Sequence, residues 1–348
     1  MLNWIVRYAV VAALLEDEGW AGGSILDVGA GPHGLSCVRP ELPFVGLDVA
    51  FPEPIVPTML GLQAPPGPLP FADAAFDTVI SLDTLEHMPA AERPGFVQEL
   101  VRVSAGRVIL ACPERRVAGA DDIVARLILG EGQPEPPWLS EHREFGLPSA
   151  EEIGAICAAI PGCTSRAFAT PNALLSLLAV FGDVHPDLAA MAAAEVAERT
   201  PDWEALFLAG CFGPQARTGW IVERAAPVPA LVSGADPHAT TISALRCLTC
   251  GGTQVAAADG PTWTCDGCGR ISAPDEATGA WVLGPVPEPP AVVAAAPPPP
   301  DVPDDRVAEL EARLARVTAE RDHARGLRIV RWTAPLRNAA YRLRTRGE

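Results

Sequence analysis

The sequence predicts an α/β protein built on a doubly wound, largely parallel sheet, and three observations predict it. Four short apolar runs recur between residues 24 and 112: SILDVGA, PFVGLDV, FDTVISL and GRVILAC, each ending near Asp, Gly or Cys. The last two are separated by PAAERPGFVQELVRVSA, in which Phe96, Leu100 and Val103 fall on one helical face. The polar signals DVGAGPHG, Asp48 and Asp83 all fall at the carboxyl ends of these runs. Open α/β sheets bind their ligands at those ends.

Taken in order, the chain opens with MLNWIVRYAVVAALLEDEGW. Arg7 interrupts this run, acids follow it, it has no A-x-A cleavage site, and it is too short to cross a bilayer. It is expected to form an amphipathic helix packed on the first domain. Beyond the fourth strand, EGQPEPPW reads as a loop. SAEEIGAICAAI reads as a helix capped by Ser149 with acids in its first turn. DLAAMAAAEVAER is a further helix, and TGWIVERA (218–225) a closing strand. From Ala226 the composition becomes rich in proline, and a cysteine-bearing module follows at 244–284. GPVPEPPAVVAAAPPPPDVP is too dense in proline to pack and reads as an extended spacer. Val307, Leu310, Leu314 and Val317 then keep 3-4-3 spacing among charges, a short coiled-coil seam. The end of the chain, LRIVRWTAPLRNAAYRLRTRGE, is strongly basic.

Composition narrows the function. With 348 residues, 49% of them hydrophobic, the chain can bury a large core. Its net charge of −17 argues against a general nucleic-acid binder, which needs a basic surface. All 26 basic residues are arginine. Of the nine cysteines, four form two C-x-x-C pairs and the rest (Cys37, Cys112, Cys157, Cys163 and Cys211) are scattered. That pattern suits reduced thiols and a metal site rather than a secreted disulfide scaffold.

The glycine stretch fits G-x-G-x-x-G, which serves either of two cofactor classes. Two features disfavour a dinucleotide. Pro32 removes one of the amides that phosphates would use, and Asp27 places a carboxylate two residues before Gly29. A cationic ligand gains from that carboxylate. S-adenosylmethionine carries a sulfonium and an ammonium and no phosphate, yet still needs the close backbone approach that Gly29 and Gly31 allow. Asp48, 17 residues beyond Gly31, can accept hydrogen bonds from ribose hydroxyls in either case.

A more specific signal lies downstream. ILDVGAG, GLDV, LPFADAAFDTVISLDTLEHM and ELVRVSAGRVILACP, in that order and spacing, resemble the successive motifs of class I S-adenosylmethionine-dependent methyltransferases. The resemblance is strong over residues 20–115 and loose over 116–225. It implies a Rossmann-like sheet in a methyltransferase domain at 1–226, followed by a linker at 227–243, a zinc ribbon at 244–284, a Pro-rich linker at 285–303, a short coiled coil at 304–326 and a basic amphipathic tail at 327–348. It implies that Gly29, Ala30 and Gly31 approach the methionine part of the cofactor, with Asp27 orienting the loop and the amino group. Asp48, with Val49 beside it, binds the ribose. Leu82 and Asp83 sit near the amino-acid moiety and the substrate entrance. The family often has an acid just before L-P-F for the adenine amino group. Here LGLQAPPGPLPF has none, which leaves adenine to backbone groups near Leu62 and Gln63.

Methyl transfer is an in-line displacement, for which alignment alone can supply about 7–11 kcal/mol. An oxygen acceptor also wants a base. The catalytic candidates are His87, beside Glu86 after the fourth strand, and His142, which could pair with Glu144; packing roles remain open for both.

Cys247-Leu-Thr-Cys250 and Cys265-Asp-Gly-Cys268 are two thiolate knuckles, each followed by glycine, and suit tetrahedral Zn2+ in a closed, structural site. The module is similar to rubredoxin-type zinc ribbons, and being small it would draw folding energy from its metal. The basic tail suits an anionic membrane surface. Coiled coil plus R-W-T-A-P-L-R resembles the ends of bacterial surface-polysaccharide enzymes, which implies a saccharide or other small-molecule substrate. The expected setting is the cytoplasm, with peripheral contact at the inner membrane through the tail and homo-oligomerisation through the coiled coil. Two alternatives stand beside it: a non-catalytic scaffold that recruits partners, and a tRNA or rRNA methyltransferase, which the acidic balance opposes.

Overall fold

The computed structural model describes residues 1–17, 23–117, 119, 123, 137–184, 186–232, 236–257 and 262–284. These fall in one compact unit, Met1–Val286. The spacer at 285–303, the coiled coil at 304–326 and the basic tail at 327–348 lie outside the described residues, and so do the self-association and membrane contact expected of them.

The central sheet contains β1 (Ile25–Val28), β2 (Phe44–Asp48), β3 (Met59–Gln63), β4 (Phe76–Leu82), β5 (Ser104–Pro113), β6 (Cys163–Phe168) and β7 (Arg217–Arg224). A smaller sheet holds β8 (Gln254–Ala256), β9 (Trp263–Cys265) and β10 (Ile271–Ser272), and β11 (Trp281–Val282) returns to the large one. The large sheet runs β11-β3-β2-β1-β4-β5-β7-β6. All of its neighbouring pairs are parallel except those of β7, which is antiparallel to β5 and β6. Strand order reverses between β1 and β4, so the crevice that such sheets use for ligands opens at the carboxyl ends of those two strands.

Side chains alternate across the strands and divide the apolar residues into two cores. Leu26, Val28, Val45, Leu47, Leu62, Val79, Val108, Leu110 and Val222 face one way. Ile25, Phe44, Ile80, Leu82, Ile109, Ala111 and Ile221 face the other. The first face is covered by α2 (Arg93–Val103) and by the helix that follows Ser149. The second is covered by α1 (Leu2–Asp17) and the helices between β6 and β7. Burial on both faces explains why β1, β4 and β5 read as continuous apolar runs.

The four apolar runs are β1, β2, β4 and β5, and TGWIVERA is β7. Phe96, Leu100 and Val103 pack inward from α2. The chain continues through α3 (Pro137–Phe145) into α4 (Ala150–Ala158), where the Glu152 amide donates to Ser149 Oγ at 3.1 Å, the expected cap. The sequence pattern does not predict β3 or β6: MLGLQ is held extended by its neighbours β2 and β11, and all six residues of β6 are exposed or half-buried. A helix absent from the sequence reading, α5 (Ala173–Val184), precedes α6 (Pro186–Ala209). Helix α6 breaks at Arg199 (φ −134°), just before Pro201, which has no amide to donate. Among the described residues no single helix is long and apolar enough to cross a membrane; α5 and α6, bent by 110°, reach that composition only together.

Of the segment expected as a linker, residues 227–232 and 236–243 are described, and both stretches bond to the rest of the domain or to one another rather than running free. The Val232 amide bonds Ala75 O at 2.9 Å, and α7 (Pro237–Ala244) starts at Asp236, whose carboxylate accepts from the Ala239 amide. The cysteine module is likewise part of the core. Trp281 and Val282 pair in parallel with Leu62 and Gln63, Trp263 stacks on Trp281 at 3.7 Å, and Trp263, Leu245 and Leu283 join the first core. The connections after β2 and β3 carry no helix, and α7 and the cysteine module cover that half of the sheet instead. Trp263→Ala is therefore expected to cost about 3–5 kcal/mol. Urea unfolding followed by circular dichroism should show one transition shifted for the whole unit; an early loss confined to the cysteine module would contradict this packing.

Candidate active site

The turn after β1 is held from three sides. The Gly29 amide donates to Leu47 O at 2.8 Å. The Gly31 amide donates to Asp48 Oδ2 at 2.8 Å, while Asp48 Oδ1 accepts from the Val49 amide at 2.7 Å. Gly29 and Gly31 sit at φ +80° and +54°, where side chains are strained, and a Cβ on either would also collide: Thr84 Oγ1 lies 2.3 Å from the one position and the Trp4 ring 2.5 Å from the other. Ala30, between them, is fully buried, and Val49 is exposed beside Asp48.

Asp27 is sealed beneath this turn. Tyr8 of α1 donates its hydroxyl to Asp27 Oδ2 at 2.8 Å, and the residue has no solvent exposure. Burial pushes its carboxyl up to about 7, against the opposing effects of the Tyr8 bond and the Leu35 amide. Its role here is to support the loop from below.

At the end of β4, Leu82 packs into the second core while Asp83 adopts φ +51° and turns its carboxylate sideways. Arg217 grips it at both oxygens, Nε to Oδ1 at 2.6 Å and Nη2 to Oδ2 at 2.7 Å, and Arg7 Nε lies 2.8 Å from Oδ2. Burial would raise the Asp83 carboxyl, but the two guanidinium charges overcome it and hold it at about 2. Thr84, next in the chain, donates to Val28 O at 3.3 Å, so the β4 loop and the glycine turn move as one piece.

Beyond Asp83 a cavity of about 230 Å³ opens between α1, the ends of β4 and β5, α3 and α5. That is at the small end for ligand pockets. Its wall includes Asn3, Arg7, Asp83, Glu86, His87, His142, Ser176 and Arg217. His87 and His142 come together there, ring centroids 5.2 Å apart. Glu144, the expected partner of His142, is exposed; the carboxylate that pairs is Glu141, whose Oε2 lies 2.7 Å from His87 Nδ1. The helical period explains this, since Glu141 and His142 fall on the pocket side of α3 while Arg143 and Glu144 fall outside. Buried Arg93 fixes the arrangement. It donates to Leu85 O at 3.1 Å and Glu152 Oε1 at 2.8 Å, and also to the carbonyls of Phe145 and Gly146.

On the adenine side, the backbone near Leu62 and Gln63 is engaged: β3 pairs with β2 and β11, and Gln63 O accepts from the Leu283 amide at 2.7 Å. The four cysteines of the module place their Sγ atoms within 4.8 Å of one another, with Cys247 and Cys265 buried and Cys250 and Cys268 exposed.

Sequence reasoning missed Arg217, Glu141, Tyr8 and Asn3. Arg7 alone left a signal, as the single charge inside an apolar helical run. Asp27 gives the site a pH signature. Its folded pKa lies above the unfolded value of 3.8, so the folded state holds the proton more tightly and stability falls as pH rises between about 4 and 7, by roughly 4 kcal/mol in all, then levels. Asp27→Asn keeps an acceptor for Tyr8 and should flatten that slope. Urea melts at about pH 5 and pH 8 measure it; an equal slope in both proteins would refute the assignment.

Residues 26–112 match the family model described as a methyltransferase domain. Among curated proteins, none is significantly similar to the chain. Similar solved structures include magnesium protoporphyrin IX methyltransferase from Synechocystis PCC 6803 with bound SAH (15% identity, 62% of this chain and 80% of that one, TM-score 0.33). The plantazolicin methyltransferase BamL, in complex with a desmethylPZN analog and SAH, is similar at 9% identity (64% and 86% covered, TM-score 0.41). The YcgJ protein of Bacillus subtilis is similar at 15% identity (63% and 98% covered, TM-score 0.36). Residues 26–112 of this chain thus match a methyltransferase domain, on a largely parallel sheet whose glycine turn lies at the switch point.

Proposed function

We propose that the chain O-methylates a small polar acceptor, a saccharide of cell-envelope polysaccharide synthesis being the class it suits. The observation that carries this reading is the cavity beside Asp83. Three buried polar atoms in residues on its wall, Asn3 Oδ1, Glu86 Oε2 and Ser176 Oγ, have no hydrogen-bond partner among the described residues. Buried polar groups are normally paired, and an acceptor rich in hydroxyls would pair these.

The residues present fit the methionine and ribose parts of S-adenosylmethionine: a turn at positive φ with room only for glycine, and a half-exposed carboxylate at the end of β2. Bound there, the cofactor supplies a methyl carbon that an acceptor oxygen displaces from sulfur, leaving a neutral thioether. The protein's own part is alignment and proton handling. Gly29 and Gly31 let the cofactor approach the backbone, Asp48 holds the ribose side, and Thr84 ties that turn to the pocket wall. The acceptor's hydroxyl proton leaves toward the cluster of Glu86, His87 and His142. Burial lowers the pKa of His87 and the nearby His142 lowers it further, against the pull of Glu141, so its imidazole is neutral near pH 7.

Cys247, Cys250, Cys265 and Cys268 are assigned one structural zinc ion. Sulfur separations of 3.7 Å and 3.4 Å are close to the edge of a tetrahedron built on Zn–S bonds of about 2.3 Å. A second reading, a methyltransferase fold kept as a scaffold, draws on the Trp4 ring lying over Gly31 and on the missing acid on the adenine side.

Calorimetry with S-adenosylhomocysteine separates the two readings. Binding by the wild type, weakened about tenfold or more (1.4 kcal/mol or more) in Asp48→Ala, supports catalysis; no binding by the wild type supports the scaffold. For the zinc, metal analysis of the purified chain should find one zinc per molecule and markedly less in Cys250→Ser. Unchanged zinc in the variant would remove the assignment.

A further inference from the structure

Glu86, His87 and His142 converge on the cavity wall from two elements, the short 3-10 turn Leu85–His87 and α3. One carboxylate oxygen and one imidazole nitrogen from each histidine lie within 4.8 Å of one another. Glu86 is 1% exposed and its Oε2 has no hydrogen-bond partner among the described residues. His87 Nδ1 lies 2.7 Å from Glu141 Oε2, and its Nε2 lies 3.8 Å from Glu86 Oε1. Such an outer carboxylate on one imidazole nitrogen, with the other facing inward, is how metal-ligating histidines are commonly oriented. Arg7 and Arg217 also line the cavity, but both are paired with Asp83.

We propose that Glu86, His87 Nε2 and His142 bind one first-row divalent cation on the wall of the cavity, with its remaining coordination positions open to the pocket. Two imidazoles and a carboxylate suit such ions and differ in kind from the four thiolates of the cysteine module. The binding stands on this geometry alone. Its use rests on the acceptor reading above: with the ion bound, Glu86, His87 and His142 are its ligands and no longer take the proton themselves, so an acceptor hydroxyl coordinated to the ion, made more acidic by it, gives its proton to water, and the oxygen lone pair then attacks the methyl carbon as the carbon–sulfur bond breaks onto sulfur.

The test is titration of the full-length, zinc-loaded chain with manganese(II), followed by electron paramagnetic resonance of the free ion, because manganese prefers oxygen and nitrogen donors to thiolates. The expected result is one manganese site per chain. Glu86→Gln, which keeps the size of the side chain, and His142→Ala should each weaken it by more than about tenfold, and Glu141→Gln by about tenfold. Circular dichroism checks that each variant is folded. No manganese binding by the wild type, or undiminished binding by folded Glu86→Gln, would overturn the proposal. Manganese binding lost in Glu86→Gln, together with failure to bind S-adenosylhomocysteine, would instead overturn the methyl-transfer reading and leave the metal site standing.

Discussion

One buried carboxylate holds the working end of this protein together. Asp83 ends the strand next to the topological switch, in a backbone conformation that turns its side chain across the sheet. There it meets Arg217 from β7 and Arg7 from the first helix. Three segments far apart in sequence are thus joined by charge in a place water scarcely reaches. Such a group is strongly destabilising if one partner is removed, because the remaining charge stays buried without compensation. The geometry of the neighbouring cavity depends on this contact, since Arg7, Asp83 and Arg217 all line it. The neighbouring Thr84 passes the same constraint to the glycine turn.

Around this contact the two faces of the sheet are covered by different means. One carries helices throughout, with the Leu2 and Asn3 amides of α1 bonded to the Asp183 carboxylate of α5. The other has conventional helices over β4 and β5, but over β2 and β3 it depends on α7 and the cysteine module. Stacked Trp263 and Trp281 therefore do for the cofactor side of the sheet what a crossover helix would do. A metal held by the four cysteines would order part of the methyltransferase core itself, through β11 against β3.

How much could be read in advance depended on the range of the interactions involved. The parallel strands β1, β2, β4 and β5 announced themselves because such strands, buried on both faces, are apolar along their length, and the antiparallel β7 did so through its largely buried TGWIV run. The Ser149 cap was legible because its partner is three residues away. Strand β3 was not, since MLGLQ owes its extended form to β2 and β11 on either side. His87 and His142 were singled out by residue type, but their neighbour Glu141 was passed over for Glu144, because the orientation of α3 is set by packing around Arg93. Residues 227–243 read as a linker from their prolines, yet Val232 within them is buried and its amide finds a partner at Ala75.

The sequence by itself determined the alternating strands and helices, the glycine turn with Asp48 at its side, and the two cysteine knuckles. All are encoded by residues close together in the chain, where periodicity, φ preferences and ligand spacing act locally. Only the tertiary structure decided that Asp27 is sealed under Tyr8, that Asp83 is gripped by two arginines from opposite ends of the domain, and that the cysteine module closes the edge of the sheet. Those outcomes depend on contacts between residues tens to hundreds of positions apart. Which charge finds which partner there is settled by how the two faces of the sheet are filled, and no local pattern carries that information.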